Sequence, residues 1–349
     1  MTLTGLLAGC AQTSVPASAI DAANRQDRPI STAENARKGS PANLPGWQSD
    51  DLKGLSDAIE QQCGMRRPPP PWEALCAEFG RLDPGKLRHW LERRFSVVPL
   101  LAKDGSATGL VTGYYEPLVQ GSRTRTSSRQ VPLYRKPAKA LLARKLTRAQ
   151  IENSGMLAGT ELVWLDDPIE AFFLQIQGSG RIMLREGGSM RVGYAADNGL
   201  RYRAIGRVLI ERGAIPAPEI SAQTIRNWLR ANPEQALEVM QQNPRYVFFR
   251  ELRGIATDAG PLGSLGVSLT AGRSVAIDRS RIAPGSILFL DTSDPIRGAP
   301  LRRVVIAQDT GGAIVGPIRV DLFWGSGEKA GEAAGQMKQD GRLWLLQAH

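Results

Sequence analysis

Histidine is nearly missing from this chain: among 349 residues only His89 and the terminal His349 carry an imidazole. A Ser-His-Asp or Cys-His arrangement would have to use His89, which sits beside Trp90 in a helical run and reads as a helix surface or core edge. The same count excludes His-rich zinc sites. Acid and base chemistry therefore falls to carboxylates, Lys or Tyr. No apolar run approaches the roughly 18 residues of a membrane-spanning helix. A basic stripe is lacking too. Lys plus Arg number 44 against 34 Asp plus Glu, but the excess is spread in short clusters such as Arg93 with Arg94 and Arg123 with Arg125 and Arg129. Such an excess suits a polyanion, whether nucleic acid, an anionic membrane or an acidic wall polymer. Without a stripe, no nucleic-acid partner is expected.

Cysteine is scarce, and each of the three has its own reading. The segment Leu7-Ala8-Gly9-Cys10 resembles a bacterial lipobox, in which the Cys is lipidated and becomes the mature N-terminus. A charged n-region and most of an apolar run are missing ahead of it, so residues 1–10 read as a truncated lipoprotein signal and the natural start is expected further upstream. In an exported chain, Cys63 and Cys76 form an even pair able to close a loop around Pro68 to Pro71, and a disulfide is expected there; two buried thiols are the other reading.

The length favours two domains over one. Residues 11–46 are rich in Ala, Ser, Pro and charge without hydrophobic periodicity, and read as a flexible tether. From Trp47 the pattern turns helical, with Leu52, Leu55 and Ile59 on one face, and Asp83-Pro84 supplies a cap for a helix bearing Leu87, Trp90 and Leu91. Between about 108 and 200 short apolar segments alternate with Gly, Pro and Ser: GLVTGYYEP, QVPLY, ELVWLDDP and AFFLQIQGSG read as β, and Ile182 to Tyr194 as a hairpin. Helices follow at Ile205 to Leu209, after Ser221, and after Asn232-Pro233, where Asn232 is expected to cap and Gln235 to complete a capping box. SVAID, GSILFLDT, RRVVIAQDT, GPIRVDLFW and RLWLLQ are five short strands, with a helix from Glu328 to Met337 before the last. Many short strands with Gly and Pro turns predict a small barrel, within a chain that is mainly β with some α.

The richest segment chemically is AQDTGGAIVGPIRVDLFWGSG. Asp309 precedes Thr310-Gly311-Gly312, and Asp321 lies between Val320 and Leu322 in an apolar strand. An ionised carboxylate there is costly unless it is hydrogen-bonded or faces a cleft, and desolvation raises its pKa toward what a general acid needs. Either Asp, and Asp309 beside its glycines above all, could instead tie down a turn by accepting backbone amides.

This block resembles the 3D domain, a double-psi β-barrel named for three aspartates that match Asp278 (VAIDRSRIAPGS), Asp309 (AQDTGG) and Asp321 (RVDLFWG). VTGYYEP, PLYRKP, FFLQIQGSGRI, GYAADNGLRYRAIGRVLI and NPRYVFF resemble the membrane-bound lytic transglycosylase A (MltA) family. The resemblance implies a barrel domain with N-terminal helices from 47–108 and 250–349, its 3D part at about 267–346, interrupted by a smaller β-rich substrate-binding insert at 109–249. It implies a lytic exotransglycosylase, a carbon–oxygen lyase that cleaves the bond between N-acetylmuramic acid and N-acetylglucosamine and leaves 1,6-anhydromuramic acid. Asp321 matches the family's catalytic acid and Asp309 the aspartate that supports it, while Asp278 stabilises the barrel. Thr112, Gly113 and Tyr114, with Gln177, Gly178, Ser179 and Gly180, match motifs lining the glycan cleft. No cofactor or metal is implied. The expected partners are peptidoglycan glycan strands, the outer membrane through the lipid anchor at the periplasmic face, and a cell-wall synthesis complex. Glu116, in the GYYEP segment, matches no role and is expected in a surface ion pair.

Three other readings stand beside this one. Double-psi barrels also occur in noncatalytic glycan-binding modules, a muramidase-type hydrolase would use two carboxyl groups and water, and three aspartates could hold a hard metal ion.

Overall fold

The computed structural model describes residues 39–255 and 259–349; Cys10 and most of the expected tether lie outside the described residues. The tether's last residues are packed: Gly39 bridges to Val97, and Pro41 and Leu44 are buried. Three helices come first, α1 (Leu55–Cys63), α2 (Trp72–Phe79) and α3 (Leu87–Arg94), then strands β1 (Phe95–Pro99) and β2 (Gly109–Glu116). A second group comprises β3 (Leu118–Ser122), β4 (Val131–Tyr134), α4 (Lys139–Ala143), α5 (Arg148–Ser154), β5 (Glu161–Leu165), α6 (Pro168–Gln177), β6 (Ser179–Leu184), β7 (Ser189–Asp197), α7 (Ile205–Glu211), α8 (Ala222–Ala231), α9 (Pro233–Gln241) and β8 (Val247–Leu252). Last come β9 (Ser274–Ile277), β10 (Ile287–Ser293), β11 (Pro300–Thr310), β12 (Val320–Ser326), α10 (Glu328–Gln336) and β13 (Lys338–Ala348).

Strand alternation builds the barrel. Val275, Ile277, Leu288, Leu290, Val305, Ala307, Val320 and Leu322 point into one interior core, while Phe289, Val304 and Ile306 point the other way and pack on Trp47, Leu55, Ile59 and Leu91. β13, β10, β11, β9, β12 and β2 hydrogen-bond in that order and β13 pairs again with β2, so six strands close; β1 adds to the outside of β13. This is the small barrel that the five C-terminal strands predict, completed by β2. Because β2 is a barrel strand, hydrogen bonding places the passage into the second sheet after Glu116, one strand later than residue 109. Cys63 and Cys76 join α1 to α2 in a disulfide with a Cα separation of 5.5 Å. Leu52 is not on the face of α1; it precedes the helix with a φ of 56°.

The second sheet runs β4-β5-β3-β6-β7-β8, with β3 and β6 parallel and β6–β7 an antiparallel hairpin. One expectation fails here: AFFLQIQ is not a strand but the body of α6. Asp167 accepts the Ile169 and Glu170 amides and Pro168 occupies the first turn, a strong helix start. Ile169 and every residue from Ala171 to Gln175 are buried, so α6 has no polar stripe to reveal a helical period. Asn232 also departs from expectation. Its amide donates to the carbonyl of Trp228 at 2.8 Å, closing α8 rather than capping α9, and no side-chain cap or capping box forms.

Candidate active site

Backbone register sets the site. In β12 Val320 and Leu322 fill the barrel, so Asp321 faces outward, paired with Thr112 of β2 on one side and Ala276 of β9 on the other. By simple alternation with Val305 and Ala307, Asp309 would point into the barrel. A bulge at Gln308 prevents this: Ala307 pairs with Val275, but Asp309 pairs with Ala276. Gln308 stays outside, buried beneath α1, where its amide donates to the carbonyl of Ala58 at 2.9 Å. Thr112, Asp321, Ala276 and Asp309 thus form one row across four strands, with the smallest side chain between the two carboxylates.

The two carboxylates have different surroundings. Asp309 Oδ1 accepts the amides of Ser264 and Thr310, both at 2.8 Å, and its Oδ2 accepts the Tyr114 hydroxyl at 3.0 Å. Burial still raises its pKa above the ordinary aspartate value, against the lowering effect of those donors. Asp321 Oδ1 accepts the Thr112 hydroxyl at 2.5 Å, and Thr112 in turn accepts Arg319 Nη1 at 2.8 Å. Among the described residues no protein donor reaches Asp321 Oδ2. Burial pushes Asp321 up to about 6; the Thr112 hydrogen bond and the Arg319 charge hold it down, while the charge of Asp309 adds to the rise. Burial also raises Tyr114, aided by both carboxylates, so the phenol remains a donor.

A cleft of about 750 Å³ lies over this row, between the barrel and the second sheet. Gly113, Tyr114, Asp309 and Asp321 line its barrel side; Gln177, Gly178 and Ser179 line the other, joined by Tyr194, Arg245 and Arg250. Gln177 Oε1 accepts the Tyr115 amide at 3.4 Å, bridging the two sides, and Gly178 ends α6 with a φ of 77°, a backbone state that disfavours other residues. Gly180 is not in the cleft lining: a Cβ there would come within 2.2 Å of the Leu174 side chain, so its smallness serves packing. Thr112 does not line the cleft either and acts on it through Asp321.

Two further carboxylates lie outside the row, and only for Glu116 does the structure correct the expectation. Asp278 stands apart from the row, accepting the Gly316 amide at 2.8 Å and the Ser280 hydroxyl at 2.6 Å, and among the described residues no three His, Cys, Asp or Glu side chains gather as metal ligands. Glu116 is not at the surface. It is 1% exposed, accepts Ser326 Oγ at 2.7 Å and Arg181 Nη2 at 3.2 Å, and so ties β2 and β12 of the barrel to β6 of the second sheet. A carboxylate at the end of a strand otherwise used for the cleft gives no sign of burial in sequence alone. Arg319 and the Ser264 amide also escaped the sequence reading, since a lone Arg and a backbone group carry no motif.

Comparison with known proteins fits this geometry. The family described as the MltA specific insert domain matches residues 110–250, and the 3D domain matches residues 273–347. The membrane-bound lytic murein transglycosylase A of Escherichia coli K12 is 36% identical over 242 residues, which cover 67% of this chain and 64% of that protein. The chain thus spans somewhat less than two thirds of that relative's length. The solved lytic transglycosylase LtgG of Burkholderia pseudomallei is 47% identical, with 89% of this chain and 95% of that one covered and a TM-score of 0.66. Escherichia coli MltA with bound chitohexaose is 29% identical over 85% of this chain and 89% of that one, with a TM-score of 0.73. With the insert family over residues 110–250, the 3D domain over 273–347 and a solved relative 47% identical of which it covers 95%, this chain belongs to the MltA family.

Proposed function

We propose that this protein is a lytic transglycosylase that cleaves peptidoglycan between N-acetylmuramic acid and N-acetylglucosamine with Asp321 as its single acid and base. The observation that carries this reading is the contrast along the row. Asp321 lines the cleft with a pKa raised to about 6 and, among the described residues, no donor on its Oδ2, whereas Asp309 has donors on both oxygens. A proton on Asp321 Oδ2 is placed to go to the glycosidic oxygen as the bond from C1 breaks. The resulting carboxylate then takes the proton from the muramyl C6 hydroxyl as that oxygen bonds to C1. One C–O bond breaks, one forms, the proton is returned to Asp321, and no water is consumed. Thr112 and Arg319 keep Oδ1 engaged and aim Oδ2. Tyr194, Arg245, Arg250 and the Gln177 to Ser179 turn offer polar groups and a ring face for sugars, in keeping with the chitohexaose bound to the Escherichia coli relative.

A muramidase needs a second carboxylate free to act as nucleophile or to activate water. Asp309, filled by three donors, is poorly suited to either role. Mass spectrometry of products from purified peptidoglycan decides the matter: muramic acid ends lighter by one water support the transglycosylase, and reducing muramic acid as the main product would establish a hydrolase. A noncatalytic glycan-binding protein would release neither.

The lipobox-like Leu7 to Cys10 and the name of the membrane-bound relative support anchoring at a membrane, which we read as the periplasmic face of the outer membrane. Among the described residues no helix is long and apolar enough to cross a membrane. Cys10→Ala in the natural full chain should move the protein to the soluble periplasmic fraction; unchanged membrane fractionation would remove Cys10 as the anchor.

A further inference from the structure

A second groove, of about 550 Å³, opens beside the catalytic cleft and shares Leu262 and Gly266 with it. The wall between them is a hairpin, closed by the Leu262–Ser268 bridge and by the Gly263 amide donating to Val267 at 2.9 Å. One side of that hairpin holds Asp309 through the Ser264 amide, and the other side, with Leu265 and Val267, faces the groove. Across from it stands the segment after α1, where Arg66 and Arg67 are exposed and, among the described residues, paired with no carboxylate. Glu60, a turn earlier on α1, is the one acid in the lining, so two cations face one anion. This segment is firmly held: the Cys63–Cys76 disulfide closes the loop that carries both arginines, and Trp72 Nε1 donates to the Gly285 carbonyl of the barrel at 2.7 Å.

We propose that this groove binds the acidic peptide stem carried by the muramyl residue, with Arg66 and Arg67 receiving its carboxylates. The inference rests on the reading of the cleft as a peptidoglycan site. The stem leaves the sugar ring through a lactyl ether and brings several carboxylates and alanine methyls. An extended peptide gains about 3.3 to 3.6 Å per residue, so a stem of four spans up to about 13 to 14 Å, and the two depressions meet at Leu262 and Gly266. The apolar side chains of Met65, Leu262 and Leu265 suit the methyls, and the unpaired guanidiniums suit carboxylates. The rigid setting of the loop lowers the ordering cost of binding.

The test compares binding of two ligands by calorimetry, an N-acetylglucosaminyl-anhydromuramyl tetrapeptide and the same disaccharide without peptide. The wild type should bind the peptide-bearing ligand about tenfold more tightly, and the preference should fall as salt shortens the screening length from about 10 Å at 0.1 M to about 3 Å at 1 M. In the double variant Arg66→Gln, Arg67→Gln the preference should shrink to about twofold or less, with the affinity for the bare disaccharide unchanged. Equal affinity of the wild type for both ligands, or an undiminished preference in a variant that melts like the wild type, overturns the proposal. Neither outcome depends on which product the enzyme releases, so a failed stem site and a failed transglycosylase reading remain distinguishable.

Discussion

The ends of β11 and β12 present the same side chain to the same cleft on either side of Ala276, and the two sites differ in nearly everything else. At β11 the backbone supplies two amides and β2 a phenol, so Asp309 is held with its oxygens occupied. At β12 the register stays in step from Val320 to Phe323, and one oxygen of Asp321 meets only Thr112, with Arg319 behind it. Both carboxyls are raised by burial, but of the two only Asp321 has an oxygen to which, among the described residues, no protein group donates. On the proposed reading, desolvation alone does not make a general acid. The number of donors aimed at each oxygen determines whether the proton has anywhere to go.

The sharpest way to break this comparison is to remove the acid. Asp321→Asn keeps the size and the Thr112 contact while abolishing proton transfer, so activity on purified peptidoglycan should fall by about 10⁴-fold or more, at the upper end of acid/base contributions, because leaving-group protonation is essential here. Full turnover by the folded variant would leave the proposed chemistry without its acid. Asp309→Asn should cost less, about 10- to 100-fold, because its charge and its hold on the Ser264 loop support the site without carrying the proton. Losing the Asp309 charge removes one cause of the raised Asp321 pKa, so the alkaline limb of the kcat/KM profile should move to lower pH. An Asp309→Asn loss equal to that of Asp321→Asn would make the two carboxylates a pair and revive the hydrolase reading.

A third effect appears in stability. The folded-state pKa of Asp321 is raised from 3.8 to about 6, so the folded protein binds the proton more tightly than the unfolded chain. The cost of ionising this group in the fold is absent below the unfolded pKa, grows as pH rises from 3.8 toward 6, and is complete above that. Asp321→Asn should therefore melt higher than wild type at pH 7.5, by an amount on the order of 2 kcal/mol or less given the open cleft, and the gain should vanish near pH 3.5. Calorimetry at the two pH values checks it; a gain independent of pH would mean that the carboxylate is not strained by burial.

The barrel was legible from its many short strands with Gly and Pro turns, and Val320-Asp321-Leu322 puts a carboxylate on the face opposite two apolar residues. Asp309 was legible only as part of a motif, since alternation with Val305 and Ala307 places it inside the barrel and the bulge at Gln308 leaves no mark in residue type. α6 was misread for the opposite reason, because a helix buried all round loses its period. Glu116 was hidden because burial of an ion pair depends on two arginine-bearing strands many residues away. Removing one partner from such a pair typically costs about 3 to 5 kcal/mol, so its role is structural first.

The smallest effect tests the regular side of the row. Thr112 lowers the Asp321 pKa by donating to its carboxylate, and it also anchors Arg319, whose charge acts in the same direction. Thr112→Val keeps the β-branched shape that suits β2 and removes the hydroxyl from both contacts. Asp321 should then hold its proton to higher pH, moving the alkaline limb upward, opposite to the shift expected from Asp309→Asn. Near pH 7, where the wild-type acid form is already the minor one, the protonated fraction should rise by about two- to fivefold. The rate gains less than that, because Oδ2 loses some of its aim. A pH series of kcat/KM for the two variants side by side reads both signs. Shifts in the same direction would mean that the two neighbours of Asp321 act on the cleft as a whole, through its shape, and not on the proton.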